Sequence, residues 1–262
     1  MKLKAVLILS LLLLPIAIFP QGLAGSEAET ESEYLIDMPT AGVLEKGRVG
    51  VNFYVMPAGV VMSRLEVGAF ENFSFGISYG AANFIGSGSP LWYKLPGVTL
   101  KVKVINESNG FPSIALGFDS QGKGEFIKEI NNVEINRFRV KSPGFYGSAS
   151  KNFQFLGYLS LHGTINYSLE GDDGDKDLNF SLGFEKTIGS KLSLIAEYDF
   201  GINDNTANAL GDGNGYLNAG VRWSLSENFT VGFDLRDLLN NKKLNAGTAD
   251  RALNVQFVNP IF

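Results

Sequence analysis

The chain has 262 residues, a formal net charge of −5, no cysteine and a single histidine. The missing cysteine excludes disulfides and thiolate metal centres, and one histidine leaves no multi-histidine metal site. An acidic chain carries no electrostatic footprint for nucleic acid, so that partner is not expected either.

The first element is a secretory signal peptide, residues 1–24. "MKLK" gives two positive charges, "AVLILSLLLLPIAIF" an apolar run, and "PQGLA" places small Gly22 and Ala24 where a signal peptidase reads. The run is too short and wrongly flanked for a spanning helix. Cleavage removes Lys2 and Lys4, taking the charge from −5 to −7. About 238 residues remain, enough for one large domain without staples. No later segment reaches about eighteen apolar residues, so a helical span is not expected. Residues 25–47, "GSEAETESEYLIDMPTAGVLEKG", turn from acidic to apolar. They read as a flexible periplasmic leader, with a small plug folded into the barrel as the alternative.

From residue 48 to residue 262, period-2 alternation recurs twelve times. "RVGVNFYVM" puts Val49, Val51, Phe53 and Val55 on one face, and "VMSRLEVGA" sets Leu65 and Val67 against Arg64 and Glu66. "NFSFGISYG", "GVTLKVKV" and "SIALGFD" follow the same rule, with Lys101, Lys103 and Asp119 on the polar side. "FYGSASKNF" is the weakest, with small residues on both faces. "LSLHGTINYSL", "LNFSLGFE", "LSLIAEYDF", "LNAGVRWSL" and "FTVGFDLRD" place His162, Glu185, Glu197, Asp199, Arg222, Asp234 and Arg236 opposite their apolar faces. The closing stretch, "RALNVQFVNPIF", is the twelfth.

An even number of segments of roughly nine to eleven residues matches tilted membrane strands. The connections alternate in length. "EN", "NESNGFP", "NFQF", "TIGSK" and "SEN" are compact, whereas stretches such as "AANFIGSGSPLWYKLP" and "GINDNTANALGDGNG" are long, with "PAG" the short exception. Short periplasmic turns and long outer loops distinguish a membrane barrel from a soluble sandwich. Aromatics gather near both strand ends, among them Phe73, Phe184 and Trp223 at one and Phe53, Tyr79 and Tyr167 at the other. The prediction is an all-β fold: a single transmembrane antiparallel up-and-down β-barrel of about twelve strands, residues 48–262. "EFIKEINNVEINRFRV" is expected to extend strands five and six as a hairpin turning at Asn131 and Asn132.

With the pleat sending alternate side chains into lipid, the lumen collects Arg64, Lys101, Lys103, Arg222 and Arg236 against Glu66, Asp119, Glu185, Glu197, Asp199 and Asp234. These charges either line a solute path or neutralise one another and fill the lumen, with Arg222 beside the strands bearing Glu197, Asp199 and Asp234. Lys151 falls in the lipid-facing set, at a strand end where its stem can snorkel. Outer-membrane phospholipases use twelve strands with a catalytic histidine and serine that meet lipid at the barrel's outer face. His162 instead faces the lumen with Ser160 and Thr164, which implies hydrogen bonding rather than catalysis. "GDDGDKD" spaces Asp173, Asp175 and Asp177 like the start of a calcium loop but lacks its glycine and closing glutamate, and reads as a solvated loop. "GDGNGYLNAG" leads into a strand, not a helix, so a nucleotide-binding reading fails. No catalytic residue, cofactor or metal site is expected.

The C-terminal aromatic, Phe262, resembles the signal read by the machinery that inserts outer-membrane barrels. It has the opposite parity to Leu253, Val255 and Phe257, so either a bulge at Pro260 resets the frame, the favoured expectation, or the last ring turns inward.

"MPTAGVLEKG", "GISYGAANFIGSG", "PGVTLKVKVINES" and "PSIALGFDSQGKG" resemble the YjbH-like outer-membrane barrels, a family associated with exopolysaccharide production or export. The resemblance covers residues 38–160 and implies the outer membrane of a Gram-negative envelope and a link to polysaccharide. It supplies no catalytic residues. The expected function is a non-enzymatic scaffold or accessory in envelope or exopolysaccharide export, with a passive, porin-like small-solute channel as the alternative. Outer-membrane lipid, lipopolysaccharide, the insertion machinery and envelope proteins are the expected partners.

Overall fold

A computed structural model of the chain describes residues 31–130, 132–244, 247 and 249–261. The signal peptide and Phe262 lie outside the described residues, so the structure leaves both untouched.

Fifteen strands follow in order: β1 (Arg48–Met56), β2 (Val60–Phe70), β3 (Phe73–Ala82), β4 (Leu91–Trp92), β5 (Gly97–Ile105), β6 (Ser113–Asp119), β7 (Lys123–Ile130), β8 (Val133–Val140), β9 (Gly144–Gln154), β10 (Tyr158–Tyr167), β11 (Asn179–Ile188), β12 (Leu192–Asp199), β13 (Tyr216–Ser226), β14 (Phe229–Arg236) and β15 (Asp250–Pro260). Twelve of them form one closed antiparallel ring, each paired with its neighbours in sequence once β4 and the β7–β8 hairpin are set aside. Closure comes from β1 on β15, in unbroken register from Arg48↔Pro260 to Val55↔Leu253. A closed ring leaves no backbone donor or acceptor unpaired at a sheet edge, the condition for crossing hydrocarbon with strands.

The register at Pro260 corrects one expectation. Pairing with β1 runs to Pro260 without a bulge. Proline lacks an N–H, but here it is the last paired residue of the strand, where the ladder ends anyway. The Ile261 N–H then donates to the Gly47 carbonyl at 2.7 Å, so the chain leaves the wall without a change of frame at Pro260.

The alternation read from the sequence is the alternation of the wall. Ile77, Leu182 and Val221 are exposed on the outside. Ser78, Ser181 and Arg222, each one residue away, are buried inside. Lys151 shares the outward parity, but its Nζ turns to the carbonyls of Asn109 and Phe111 and to Glu107, all in the β5–β6 turn. The snorkelling geometry expected of it is present. The connections at one end are two to seven residues long. Those at the other include the β6–β9 connection, within which β7 and β8 form the expected hairpin. Asn132 sits in its turn with a left-handed φ of 64°. The hairpin is a separate two-stranded sheet rather than a prolongation of β6 and β9. It leans over the long-loop mouth, where Phe138 is buried with Tyr54, Met56, Val60, Met62 and Tyr93.

The segment before β1 was expected as a flexible leader over residues 25–47, with a plug folded into the barrel as the alternative; its described part, from residue 31, lies inside the barrel. Leu35, Ile36, Met38, Ala41 and Leu44 are all buried. A tight turn, with Tyr34 bridged to Pro39 and the Leu35 N–H donating to the Met38 carbonyl at 3.0 Å, folds the segment back on itself. The apolar half of the segment has a reason to enter: Ile195, the one inward-facing isoleucine of β12, packs with Leu35, Ile36 and Met38.

Candidate functional site

The lumen is the site, and the wall's polar face is built around the inserted segment. Glu197 on β12 is the centre of the contact. Its carboxylate accepts from the backbone N–H groups of Ile36 (3.0 Å), Asp37 (2.8 Å) and Met38 (3.1 Å). Asn218 on the adjacent β13 donates to the same carboxylate at 2.9 Å. A tight turn presents several N–H groups in one direction, and a carboxylate is the side chain that satisfies them together.

Asp37, at the tip of that turn, is bound from two sides. Arg236 on β14 donates through Nε at 3.0 Å, and Lys123 on the hairpin reaches it at 3.1 Å. The segment is thus held from the wall and from the lid. Lys101 on β5 donates to the carbonyls of Glu33 (2.7 Å) and Gly42 (3.0 Å). Arg222 on β13 pairs with Asp234 at 2.5 Å and donates to the Leu35 carbonyl at 2.8 Å. Asp119 on β6 receives Arg64 at 2.6 Å and the Tyr34 hydroxyl at 2.7 Å. The Arg64 guanidinium and the Lys101 ammonium lie 4.7 and 4.8 Å from the centre of the Tyr34 ring, a cation–π arrangement. Lys103 pairs with Glu31, and Glu185 accepts from the Ser32 hydroxyl at 2.6 Å. Glu66 lines a cavity of about 30 Å³ with Glu33 and Arg222.

All twelve lumen positions expected from the sequence therefore face inward, but their partners differ from the expectation. Mutual neutralisation across neighbouring strands holds for Arg222 and Asp234. Arg222 does not pair with Glu197 or Asp199. Glu197 is taken by the inserted backbone, and Asp199 by Asn179 (2.7 Å) and the Gly201 N–H (2.8 Å) at the end of its own strand. His162 hydrogen-bonds: its Nδ1 lies 2.7 Å from the Ser150 hydroxyl, which also accepts from the Ala41 N–H at 2.9 Å. Thr164, placed in the lumen by its parity, and Ser148, which sequence reasoning missed, both donate their hydroxyls to the Pro39 carbonyl, at 2.6 and 3.0 Å.

Two glycines show how closely wall and segment fit. A Cβ on Gly183 of β11 would stand 2.5 Å from Leu35 Cδ1, and one on Gly68 of β2 would stand 1.9 Å from the Glu45 carbonyl. A side chain at Gly68 would displace the segment's backbone, and one at Gly183 would push the Leu35 side chain aside.

A second cluster latches the long loops. Arg137 on β8 pairs with Asp173 in the β10–β11 loop at 2.9 Å and with Asp204 in the β12–β13 loop at 2.5 Å. Lys141 also reaches Asp173, at 2.8 Å, and the Tyr216 hydroxyl donates to Asp204 at 2.7 Å. The acidic loop read as solvated is therefore a clamp: Asp173 and Asp175 are buried, because two cations and the Asn205 N–H occupy their oxygens. Burial alone would push the Asp204 carboxyl up, but the paired Arg137 guanidinium outweighs it and holds the group below the usual carboxylate range. Glu170, in the same loop cluster, goes the other way: burial pushes it up, despite the Phe138 N–H donating at 3.0 Å.

Among the described residues, the cavities found inside are small. The cavity under the latch is about 80 Å³, and those beside His162 and Glu66 are about 20 and 30 Å³. Each accommodates a few water molecules, not a chain of solute.

No protein-family model matches the sequence, and no curated protein does. Among solved structures the chain is similar to the KdgM porin, with 11% identity and a TM-score of 0.48, covering 80% of this chain and 98% of that one. It is also similar to Omp33, an outer membrane protein of Acinetobacter baumannii (12% identity, TM-score 0.45, 80% and 96% covered). A third similar structure is the NanC porin (10% identity, TM-score 0.41, 80% and 98% covered).

Proposed function

We propose that the chain is a non-enzymatic outer-membrane barrel, closed by its own N-terminal segment, that serves as an envelope accessory rather than as an open pore. One observation carries this reading: residues 31–44 occupy the lumen, and buried wall side chains meet them with directed hydrogen bonds. The orientation follows from the loop asymmetry, with the short turns in the periplasm and the hairpin-bearing end outside. The signal peptide would deliver the chain, and the insertion machinery would place it. The outer loops, latched into one surface by Arg137, are where envelope partners would bind. Participation in exopolysaccharide export rests on the sequence resemblance alone.

The second reading is a small-solute channel that opens when the segment leaves. The chemistry of the plug favours keeping it in view: polar and charged contacts exchange readily for water, whereas a fused apolar core does not. Planar-bilayer recording separates the two. The intact protein is expected to give no stable conductance, and a variant lacking residues 31–44 to give discrete steps. Steady conductance from the intact protein would overturn the closed-barrel reading in favour of the channel. Pull-down from gentle detergent should also bring envelope proteins with the barrel; repeated recovery of the barrel alone would count against the accessory role.

A further inference from the structure

The β3–β5 loop, residues 83–96, differs from the other long connections. The β10–β11 and β12–β13 loops carry buried acids and turn over the mouth. This one, "NFIGSGSPLWYKLP", carries a single charge, Lys94, and turns outward. Its path is fixed at both ends. The N–H groups of Asn83 and Phe84 donate to the carbonyls of Ala58 and Gly59, each at 2.9 Å, tying the loop to the β1–β2 turn. The Asn83 amide donates to the carbonyls of Ser87 (3.1 Å) and Ser89 (3.2 Å), closing the bend. The chain then returns as β4. Trp92 pairs with Ala81 and Leu91 with Ala82, on the stretch of β3 beyond Ser78, the last residue that β5 reaches.

β4 therefore continues the wall and obeys its alternation. Tyr93 points in, is buried, and donates to the Gly124 carbonyl at 2.7 Å. Trp92 points out and stacks on the lipid-facing Tyr79, ring centres 5.8 Å apart and planes 8° apart, and Phe84 meets Trp92 edge-on at 6.0 Å. Ala81 shares the outward parity of Ile77 and Tyr79 yet is fully buried, so the following chain covers it from outside. Beyond this aromatic stack the loop presents Ile85 and Leu95, 56% and 72% exposed.

We infer that this loop is a membrane anchor: its apolar rim beds into the lipid of the leaflet at the long-loop end. The occupant is lipid because the patch is continuous with a face that lipid already covers. Phe75, Ile77 and Tyr79 lead into Trp92 and Phe84 without a polar break on the outward face. Aromatic rings settle at the boundary between acyl chains and headgroups, and an ammonium beside them, here Lys94, meets lipid phosphate. The inference rests on the transmembrane reading of the barrel, and the test below separates the two.

The sequence contains two tryptophans, Trp92 in the loop and Trp223 on the lipid face of β13, and no cysteine. Trp223→Phe and Trp92→Phe variants each leave one reporter, read in phosphatidylcholine–phosphatidylglycerol vesicles doped with acyl-brominated lipid. Trp92 is expected to lose emission by roughly two-fold or more to brominated lipid and to resist aqueous acrylamide, as an interfacial ring does. Quenching of Trp223 by lipid with Trp92 quenched only by acrylamide would overturn the anchor and leave the barrel standing. Failure of lipid to quench either ring would overturn the membrane reading itself. Leu95→Cys supplies a unique thiol as a second arm. Oxidation in dilute vesicles should leave it monomeric; efficient disulfide-linked dimers would mean that a second copy, not lipid, covers the patch. Should Trp223→Phe fail to insert, the difference in quenching between the intact protein and Trp92→Phe gives the same answer.

Discussion

The wall and the segment inside it are ordered by different forces, although the same strands supply both. On its outer side the wall needs only apolarity: Leu116, Leu182 and Val221 are interchangeable with any residue that lipid accepts. On its inner side each position is specific. Glu197 is matched to three particular N–H groups, Arg222 to one carbonyl and Gly183 to one methyl. Closure of the sheet fixes the wall through backbone pairing, whatever its side chains. The segment has a single isolated bridge to itself and depends on side chains from strands far away in sequence. The lesson is that a barrel can be robust in its wall and selective in its filling at the same time.

The strongest way to break the contrast is to put a charge on the indifferent side. Leu182→Arg, on the lipid face of β11, should cost about 2–4 kcal/mol at mid-membrane depth. Its unfolding midpoint in urea, read from heat-modifiable gel migration, should fall accordingly. An unchanged midpoint would mean that this face does not meet hydrocarbon. The next effect is confined to the filling. Glu197→Ala leaves three buried N–H groups without their acceptor, a loss of about 1–3 kcal/mol for the docked segment. Hydrogen exchange at Ile36, Asp37 and Met38 should accelerate while exchange in β10 and β11 stays slow. Equal acceleration everywhere would show that segment and wall unfold as one unit. Gly183→Leu should expel Leu35 by volume instead of by lost hydrogen bonds, giving the same exchange pattern with Glu197 intact.

This difference also explains what could be read from the chain in advance. The strands, their parity and the asymmetry of their connections were legible because each is a local, period-2 signal imposed by lipid on one side. Parity alone sent Arg64, Lys101, Glu197 and Arg236 inward. Their partners were not legible: the contact from Ile36 to Glu197 spans 161 positions, and no local pattern encodes it. The composition of residues 25–47 pointed both ways, to a leader by its acids and to a plug by its apolar half, and no local pattern encodes the lumen side chains that meet the described part of it. The same holds for Asp173, whose spacing in a polar loop suggested solvent until Arg137 arrived from another element.

The gentlest test acts on the latch, where side chains from three connections meet outside the membrane. Because the Arg137 pair holds the folded-state value of Asp204 below its unfolded one, the stabilisation is complete above the unfolded value, about 3.9, and is lost as pH falls through the lower folded value. Glu170 has the opposite sign. Its folded value is raised by burial, so it favours the latched form below the unfolded value, about 4.3, and that contribution is lost as pH rises through the folded value. The latch is therefore strained by Glu170 at neutral pH, tightens on mild acidification, and releases only in strong acid when Asp204 protonates. Protease sensitivity of the β12–β13 loop, followed against pH, should pass through a minimum. Asp204→Asn should abolish the acid-side rise by leaving the loop open throughout, and Glu170→Gln should flatten the neutral side. A monotonic profile in the unsubstituted protein would mean that these two carboxylates do not control the loops. Arg137 would then be a packing residue, and the outer surface would owe its shape to the hairpin alone.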